Sequence, residues 1–223
     1  MLRTEPRRRW PRVMVPTGHP ASRPGDSAVS IEGTEITQLP SALPAILRDT
    51  EVLKFKMASA PQTGSLLRTL AASKPGGRLL ELGTGTGIGT AWLLDGMDAT
   101  ARLETVDNDE AAVAVARKHL SRDPRVTFHL ADGADFLRAS AGRHFDFIFA
   151  DAWPGKFSHL ELALSLLAPG GVYVIDDLLP QASWPEGHGE KVPPLIAALE
   201  RRADLYCTRL AWSTGVVVAV KRG

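Results

Sequence analysis

Between Glu81 and Gly89 the chain reads Glu-Leu-Gly-Thr-Gly-Thr-Gly-Ile-Gly. Four glycines on alternate positions let a backbone approach a ligand closely, and a helix starting there favours an anionic group. A dinucleotide fingerprint needs G-x-G-x-x-G. Counted from Gly83 the sixth position is Ile88, and counted from Gly85 it is Thr90, so both frames fail. The pattern is E-x-G-x-G-x-G, which weakens a nicotinamide oxidoreductase reading. A second acidic loop, Asp107-Asn108-Asp109, begins 24 residues after Gly83. A carboxylate at Asp107 can accept hydrogen bonds from both hydroxyls of a ribose. A third loop, Asp132-Gly133-Ala134-Asp135, is small and acidic. It suits the edge of an adenine, or Asp132 merely starts a helix.

These loops need strands to hold them. Short apolar runs at Arg78–Leu82, Arg102–Val106, Val126–Leu130, Phe145–Ala150 and Val172–Ile175 read as buried strands. Helical patterns separate them: Ile88–Asp95, Asp109–Leu120, Ala134–Ala139 and Ser158–Leu167. Two helices precede the first strand, Leu39–Phe55 and Gln62–Ser73. A helix at Leu195–Arg202 leads to two closely spaced strands, Leu205–Leu210 and Val216–Val220. The alternation predicts a Rossmann-like, doubly wound α/β sheet of seven strands. It is mostly parallel, with helices on both faces and a C-terminal antiparallel hairpin at one edge. Ligands in such folds bind beyond the carboxyl ends of the strands.

The 223 residues carry a net charge of +1, but unevenly. Residues 1–25 hold six arginines and one acid, and the remainder is net acidic. The division expected is a flexible basic tail over 1–30 and one domain over 31–223. An acidic body argues against nucleic-acid binding. No apolar run is long enough to span a membrane, and the start lacks the apolar middle of a secretory signal, so the expected location is cytoplasmic. The single cysteine, Cys207, excludes a disulfide framework and a cysteine zinc cluster. It reads as a buried thiol in an edge strand.

With these motifs in view, residues 57–221 resemble a class I S-adenosylmethionine-dependent methyltransferase. They are similar in particular to the small catechol and caffeoyl-CoA O-methyltransferases. The resemblance rests on KMASAPQTGSLL (Lys56–Leu67), LLELGTGTGIGT, FDFIFADAWPGKF (Phe145–Phe157), LLAPGGVYVIDDLL (Leu166–Leu179) and AWSTGVVVAVKR. It implies methyl transfer from S-adenosylmethionine to a hydroxyl of a small acceptor. The methionine end of the cofactor is implied near Met57, Ala58 and Ser59 and the loop of Glu81, Gly83, Thr84, Gly85 and Gly87. The ribose is implied on Asp107 and Asn108, and the adenine near Asp132, Gly133 and Ala134. Asp151 and Trp153 complete the set. A homodimer is common in the family.

The resemblance also gives a role to three acids. Asp151, Asp176 and Asp177 match the ligands of the metal-dependent members, and three carboxylates at neighbouring strand ends suit Mg²⁺ or another divalent cation. Asp151 and Lys156 are the catalytic candidates. Two departures stand out. The pair is Asp176-Asp177 where the family has Asp-Asn, and Pro154 stands where a basic residue is expected. Lys156, two residues further on, either reaches the acceptor from a rearranged loop or is solvated. Without a metal, one of the acids serves as a base. A metal-independent methyltransferase for another O or N acceptor, and a non-catalytic binding protein, are the alternatives. In the connection Pro180–Pro194, Trp184 and His188 stand near the site. His188 reads as a base or as an exposed loop histidine. Trp153 and Trp184 either wall an aromatic acceptor or pack.

Overall fold

The computed structural model describes Ile36 and residues 38–223. The basic tail expected over residues 1–30 lies outside the described residues. Two helices come first, α1 (Leu43–Leu53) and α2 (Pro61–Ala72). Strands and helices then alternate: β1 (Arg78–Leu82), α3 (Ile88–Gly96), β2 (Arg102–Asp107), α4 (Glu110–Leu120), β3 (Val126–Leu130), α5 (Gly133–Ala139) and β4 (Phe145–Ala150). A single distorted turn α6 (Trp153–Lys156) and α7 (Leu160–Ser165) lead to β5 (Leu167–Ile175). The chain closes with α8 (His188–Glu200), β6 (Leu205–Leu210) and β7 (Val216–Lys221).

The sheet order is β3-β2-β1-β4-β5-β7-β6. β1 to β5 are parallel to their neighbours, and β7 runs antiparallel between β5 and β6. β1 lies between β2 and β4, so successive crossovers leave it in opposite directions. That reversal opens a crevice at the carboxyl ends of β1 and β4.

Side chains alternate across each strand and divide the core in two. Leu80, Leu82, Ile148, Ala150 and Tyr173 pack with Leu137 of α5, Leu164 of α7 and Leu199 of α8. Leu79, Phe147, Phe149 and Val174 face the opposite way, onto Ile46, Leu67 and Trp92. Glu81 alternates with Leu80 and Leu82, which puts a carboxylate on the α3 face of the sheet. All of Ile88–Leu94 in α3 is buried. α2 crosses α3 closely because two glycines have no side chain in the way. A Cβ on Gly64 would overlap the Trp92 indole, and one on Gly96 would overlap the backbone carbonyl of Arg68.

The seven strands, their mostly parallel order and the closing hairpin match the sequence expectation. The differences lie at the site end. The helix expected over Ser158–Leu167 is shorter and follows the distorted turn α6. The strand expected over Val172–Ile175 begins earlier, so that Pro169-Gly170-Gly171 lies within β5, where the pairing with β4 shifts register between Phe145 and Phe147. α8 begins seven residues before the expected Leu195 and runs through Pro193 and Pro194. Two prolines argue locally against a helix. The burial of Val192, Leu195 and Leu199 against the core outweighs that preference.

Gly96→Ala is expected to lower stability by about 2 kcal/mol and the melting temperature by roughly 4–8 °C, because a backbone carbonyl cannot move aside as a side chain can. Thermal unfolding followed by circular dichroism checks this.

Candidate active site

A cleft of about 280 Å³ opens beyond the carboxyl ends of β1, β2 and β4. Its lining includes Met57, Ala58, Ser59, Gly83, Thr84, Gly85, Asp107, Asn108, Asp151 and Trp153, all singled out in the sequence. Phe55, Thr86, Ile88, Gly89, Ala152 and Pro154 line it as well. Three of these lie within the glycine motif itself. Phe55, just past the end of α1, has no local signal. An adjoining recess brings in Asp132 and Gly133 beside Asp107 and Asn108.

The glycine loop is held by acids from two strands. Asp107 Oδ2 accepts the Gly85 N–H at 2.8 Å, and Oδ1 accepts the Asp109 N–H at 2.9 Å. Asp109 caps α4 through the Ala112 N–H, and Asp132 caps α5 through the N–H groups of Ala134 and Asp135. Asp132 therefore starts a helix and also lines the recess. Three of the residues expected around the cofactor line neither the cleft nor the recess. Ala134 is buried in the first turn of α5. Gly87 backs onto Ala116 of α4. Glu81 is fully buried beneath the loop.

Glu81 Oε2 accepts the hydroxyls of Thr90 at 2.5 Å and Thr105 at 2.6 Å. The Thr105 hydroxyl hydrogen is engaged in its bond to Glu81, so Thr105 accepts from Thr84, a loop residue, at 2.6 Å. Glu81 Oε1 is buried with no partner. Burial pushes the Glu81 carboxyl up to about 7, with the two hydroxyls opposing and Asp107 adding to the rise. It props the loop rather than facing a ligand.

The acids at the ends of β4 and β5 surround one lysine. Lys156 is 2% exposed. Its Nζ lies 3.7 Å from Asp151 Oδ1 and 3.9 Å from Asp177 Oδ2. The turn that brings it back is legible in its dihedral angles. Pro154 (φ −61°, ψ 128°) and Gly155 (φ 89°, ψ −24°) form a type II β-turn. The Tyr173 hydroxyl donates to the Gly155 carbonyl at 2.6 Å and pins this turn on the sheet. Lys156 is thus not solvated. The Pro-Gly pair moves the cation two residues along and folds it inward.

Asp151 Oδ2 accepts the Ser59 hydroxyl at 3.0 Å, while Oδ1 is buried with no hydrogen-bond partner. Burial holds the Asp151 carboxyl well above the usual carboxylate range, with Lys156 opposing and Asp176 and Asp177 adding to the rise. Asp176 is raised chiefly by burial too. Its Oδ1 accepts the Thr214 hydroxyl at 2.5 Å and the Asp177 N–H at 2.8 Å.

On the far side of Asp151 is a second, smaller cavity of about 80 Å³. Lys156, Asp177, Gln181, Trp184 and His188 line it. His188 is buried, contrary to an exposed loop histidine. Its ring stacks on Trp184 at 4.5 Å and meets Phe157 edge-on at 4.7 Å. Its Nε2 lies 2.9 Å from the Asp177 carbonyl, which can only accept, so that nitrogen carries the proton. Burial lowers the His188 pKa, which keeps the ring neutral. Trp153 stands in the wall between the two cavities under the Lys191 ammonium.

Comparison with known proteins agrees with this geometry. Residues 80–178 match a methyltransferase domain family. The catechol O-methyltransferase of Mycobacterium tuberculosis is 28% identical over 160 residues, covering 70% of this chain and 73% of its own length. An O-methyltransferase relative from Mycolicibacterium paratuberculosis is 30% identical over 168 residues, covering 71% of this chain and 76% of its own length. The chain belongs to the S-adenosylmethionine-dependent O-methyltransferase family. Among solved structures, a cofactor-bound protein of M. tuberculosis superposes with a TM-score of 0.72 at 26% identity, over 81% of this chain and 89% of that one. The Bacillus cereus O-methyltransferase in complex with SAH shares the fold, with a TM-score of 0.73 at 23% identity over 84% of this chain and 93% of that one.

For this O-methyltransferase, the three acids do not form a metal cage. Among the described residues, no three His, Cys, Asp or Glu side chains gather closely enough to hold an ion. Asp176 is turned to Thr214, and the Lys156 ammonium stands between Asp151 and Asp177. The donor set does not fit a divalent cation. The cleft does fit a nucleoside-sized ligand, with Asp107, the glycine loop and the acidic recess along it.

The buried carboxyl of Glu81 has a stability signature. The unfolded group loses its proton near 4.5 and the folded one near 7. The folded state therefore binds more protons in that window, and stability falls as pH rises from about 4.5 to 7, then levels. The loss is about 3 kcal/mol. Glu81→Gln is expected to remove this part of the slope, read from urea unfolding of both proteins at pH 5 and pH 8.

Proposed function

We propose that this protein transfers the methyl group of S-adenosylmethionine to a hydroxyl of a small acceptor. The observation that carries the reading is the shared wall. Met57, Ala58, Asp151 and Trp153 line both the large cleft and the small cavity, so a donor in one and an acceptor in the other meet at Asp151. Names among the relatives, including a catechol O-methyltransferase, support the same reaction.

When bound, the cofactor supplies an electrophilic sulfonium methyl that leaves with the S–C electron pair remaining on sulfur as the O–C bond forms. The chain's residues do the rest. Asp107 and Asn108 would hold the ribose, Asp132 and Gly133 the adenine end, and Met57–Ser59 with Gly83–Gly85 the methionine end. Asp151 Oδ1 would take the proton of the acceptor hydroxyl. Burial raises its proton affinity, and this oxygen accepts no hydrogen bond within the chain, its neighbouring cation being the Lys156 ammonium at 3.7 Å. The Lys156 ammonium would stabilise the oxygen's developing negative charge in a site shielded from water. Trp153, Trp184 and Phe157 would exclude solvent, with the neutral His188 ring among them.

Two measurements test this. Asp107→Ala is expected to weaken SAH binding by about 2 kcal/mol in titration calorimetry, because charge-assisted hydrogen bonds are lost and the Gly85 N–H is released. Asp151→Asn is expected to lower kcat about 100-fold to 1000-fold with catechol as acceptor, with SAH affinity nearly unchanged. Normal turnover of Asp151→Asn would remove Asp151 as the base.

A further inference from the structure

We propose that the Lys156 ammonium stands in for a divalent cation in this protein, and that Asp177 is the carboxylate that pairs with it. The inference rests on the reading of the site as a methyl-transfer centre and concerns how that centre balances its charge.

Three carboxylates end adjacent strands here, and such a group repels itself unless cations or protons intervene. Each of the three is already accounted for within the chain. Asp176 is turned away to the hydroxyl of Thr214 and the N–H of Asp177. Asp151 and Asp177 both approach the Lys156 ammonium, at 3.7 Å and 3.9 Å. The lysine is buried as deeply as the core leucines, and a charged group is left that deep only when paired. Its stem passes Phe157, with the ammonium 5.7 Å from the ring centroid.

The two sequence departures then become one change. Pro154-Gly155 forms the type II turn that carries the cation inward, and Tyr173 fixes that turn. Asp177, in place of the expected Asn, supplies a second negative partner for the cation. Its backbone is held at φ 63° and its carbonyl is tied to His188. A divalent ion at the centre of the cluster would lie against the ammonium, and like charges in a dry site repel strongly. A lysine can do what such an ion would do for the acceptor: orient the hydroxyl oxygen and favour its anion. It lacks the ion's fixed coordination geometry.

The test is Mn²⁺ binding to the full chain loaded with SAH, followed by electron paramagnetic resonance. The wild-type protein is expected to show no saturable site below about 1 mM Mn²⁺, and dialysis against EDTA is expected to leave methyl transfer to catechol within twofold. Lys156→Met leaves the acids uncompensated and is expected to acquire a single Mn²⁺ site at least tenfold tighter than any wild-type binding, while SAH affinity stays within threefold. Lys156→Gln serves the same purpose should the Met variant fold poorly. One wild-type Mn²⁺ site as tight as that of the variants overturns the proposal, as does restoration of an EDTA-inactivated enzyme by Mg²⁺. Failure of the underlying reading would look different: the wild-type chain would bind no SAH at all.

Discussion

The buried contact between Asp151 and Lys156 is the interaction on which the site depends. Asp151 sits where β4 ends, and its backbone N–H bonds the Leu82 carbonyl at the end of β1. Its side chain reaches Ser59 on one side and Lys156 on the other. One carboxylate thus ties the segment before α2, the sheet and the turn after β4 together. Burying it is unfavourable by itself. The lysine and the Ser59 hydroxyl offset that cost, and what is left appears as a base whose proton affinity lies above that of an ordinary carboxylate.

The glycine loop rests on a second buried acid. Glu81 does not face the cleft, yet its hydroxyl relay through Thr105 to Thr84 supports the loop from below. Asp107 supports it from the side through the Gly85 N–H. A loop of alternate glycines is free to adopt many shapes, so its binding shape has to be imposed from outside. The acids of β1 and β2 impose it. That explains why a motif of small residues is bracketed by carboxylates, one of which, Glu81, does not face the cleft at all.

The two cavities differ in how they are built. The larger one follows from topology: β1 has neighbours reached by crossovers in opposite directions, and a cleft opens there in any such sheet. The smaller one is made by particular side chains. Trp184 and His188 stack, Phe157 closes their edge, and Lys156 and Asp177 supply the polar floor. Variation in the 180–194 segment would change the second cavity and leave the first alone. The two cavities are therefore built by separable parts of the chain.

Much of this was legible in the sequence. The strands, their parallel order, the closing hairpin, the loop of Gly83–Gly85 and Asp107 all follow from local patterns: apolar period, turn residues and a glycine spacing whose meaning is set within a few positions. Helix α8 was legible only in part, because Pro193 and Pro194 argue locally against the helix that the burial of Val192 and Leu199 enforces. The placement of Lys156, Glu81 and His188 was decided by tertiary structure alone. A lysine after Pro-Gly is equally at home in water. It is buried here because Tyr173, 17 residues later in the chain, fixes the turn, and two carboxylates from different strands receive the charge. Glu81 reads as part of a ligand motif, and only the alternation of β1 against α3 turns it inward. Charge in a dry interior is governed by what stands within a few ångströms, and those neighbours come from elements far apart in sequence.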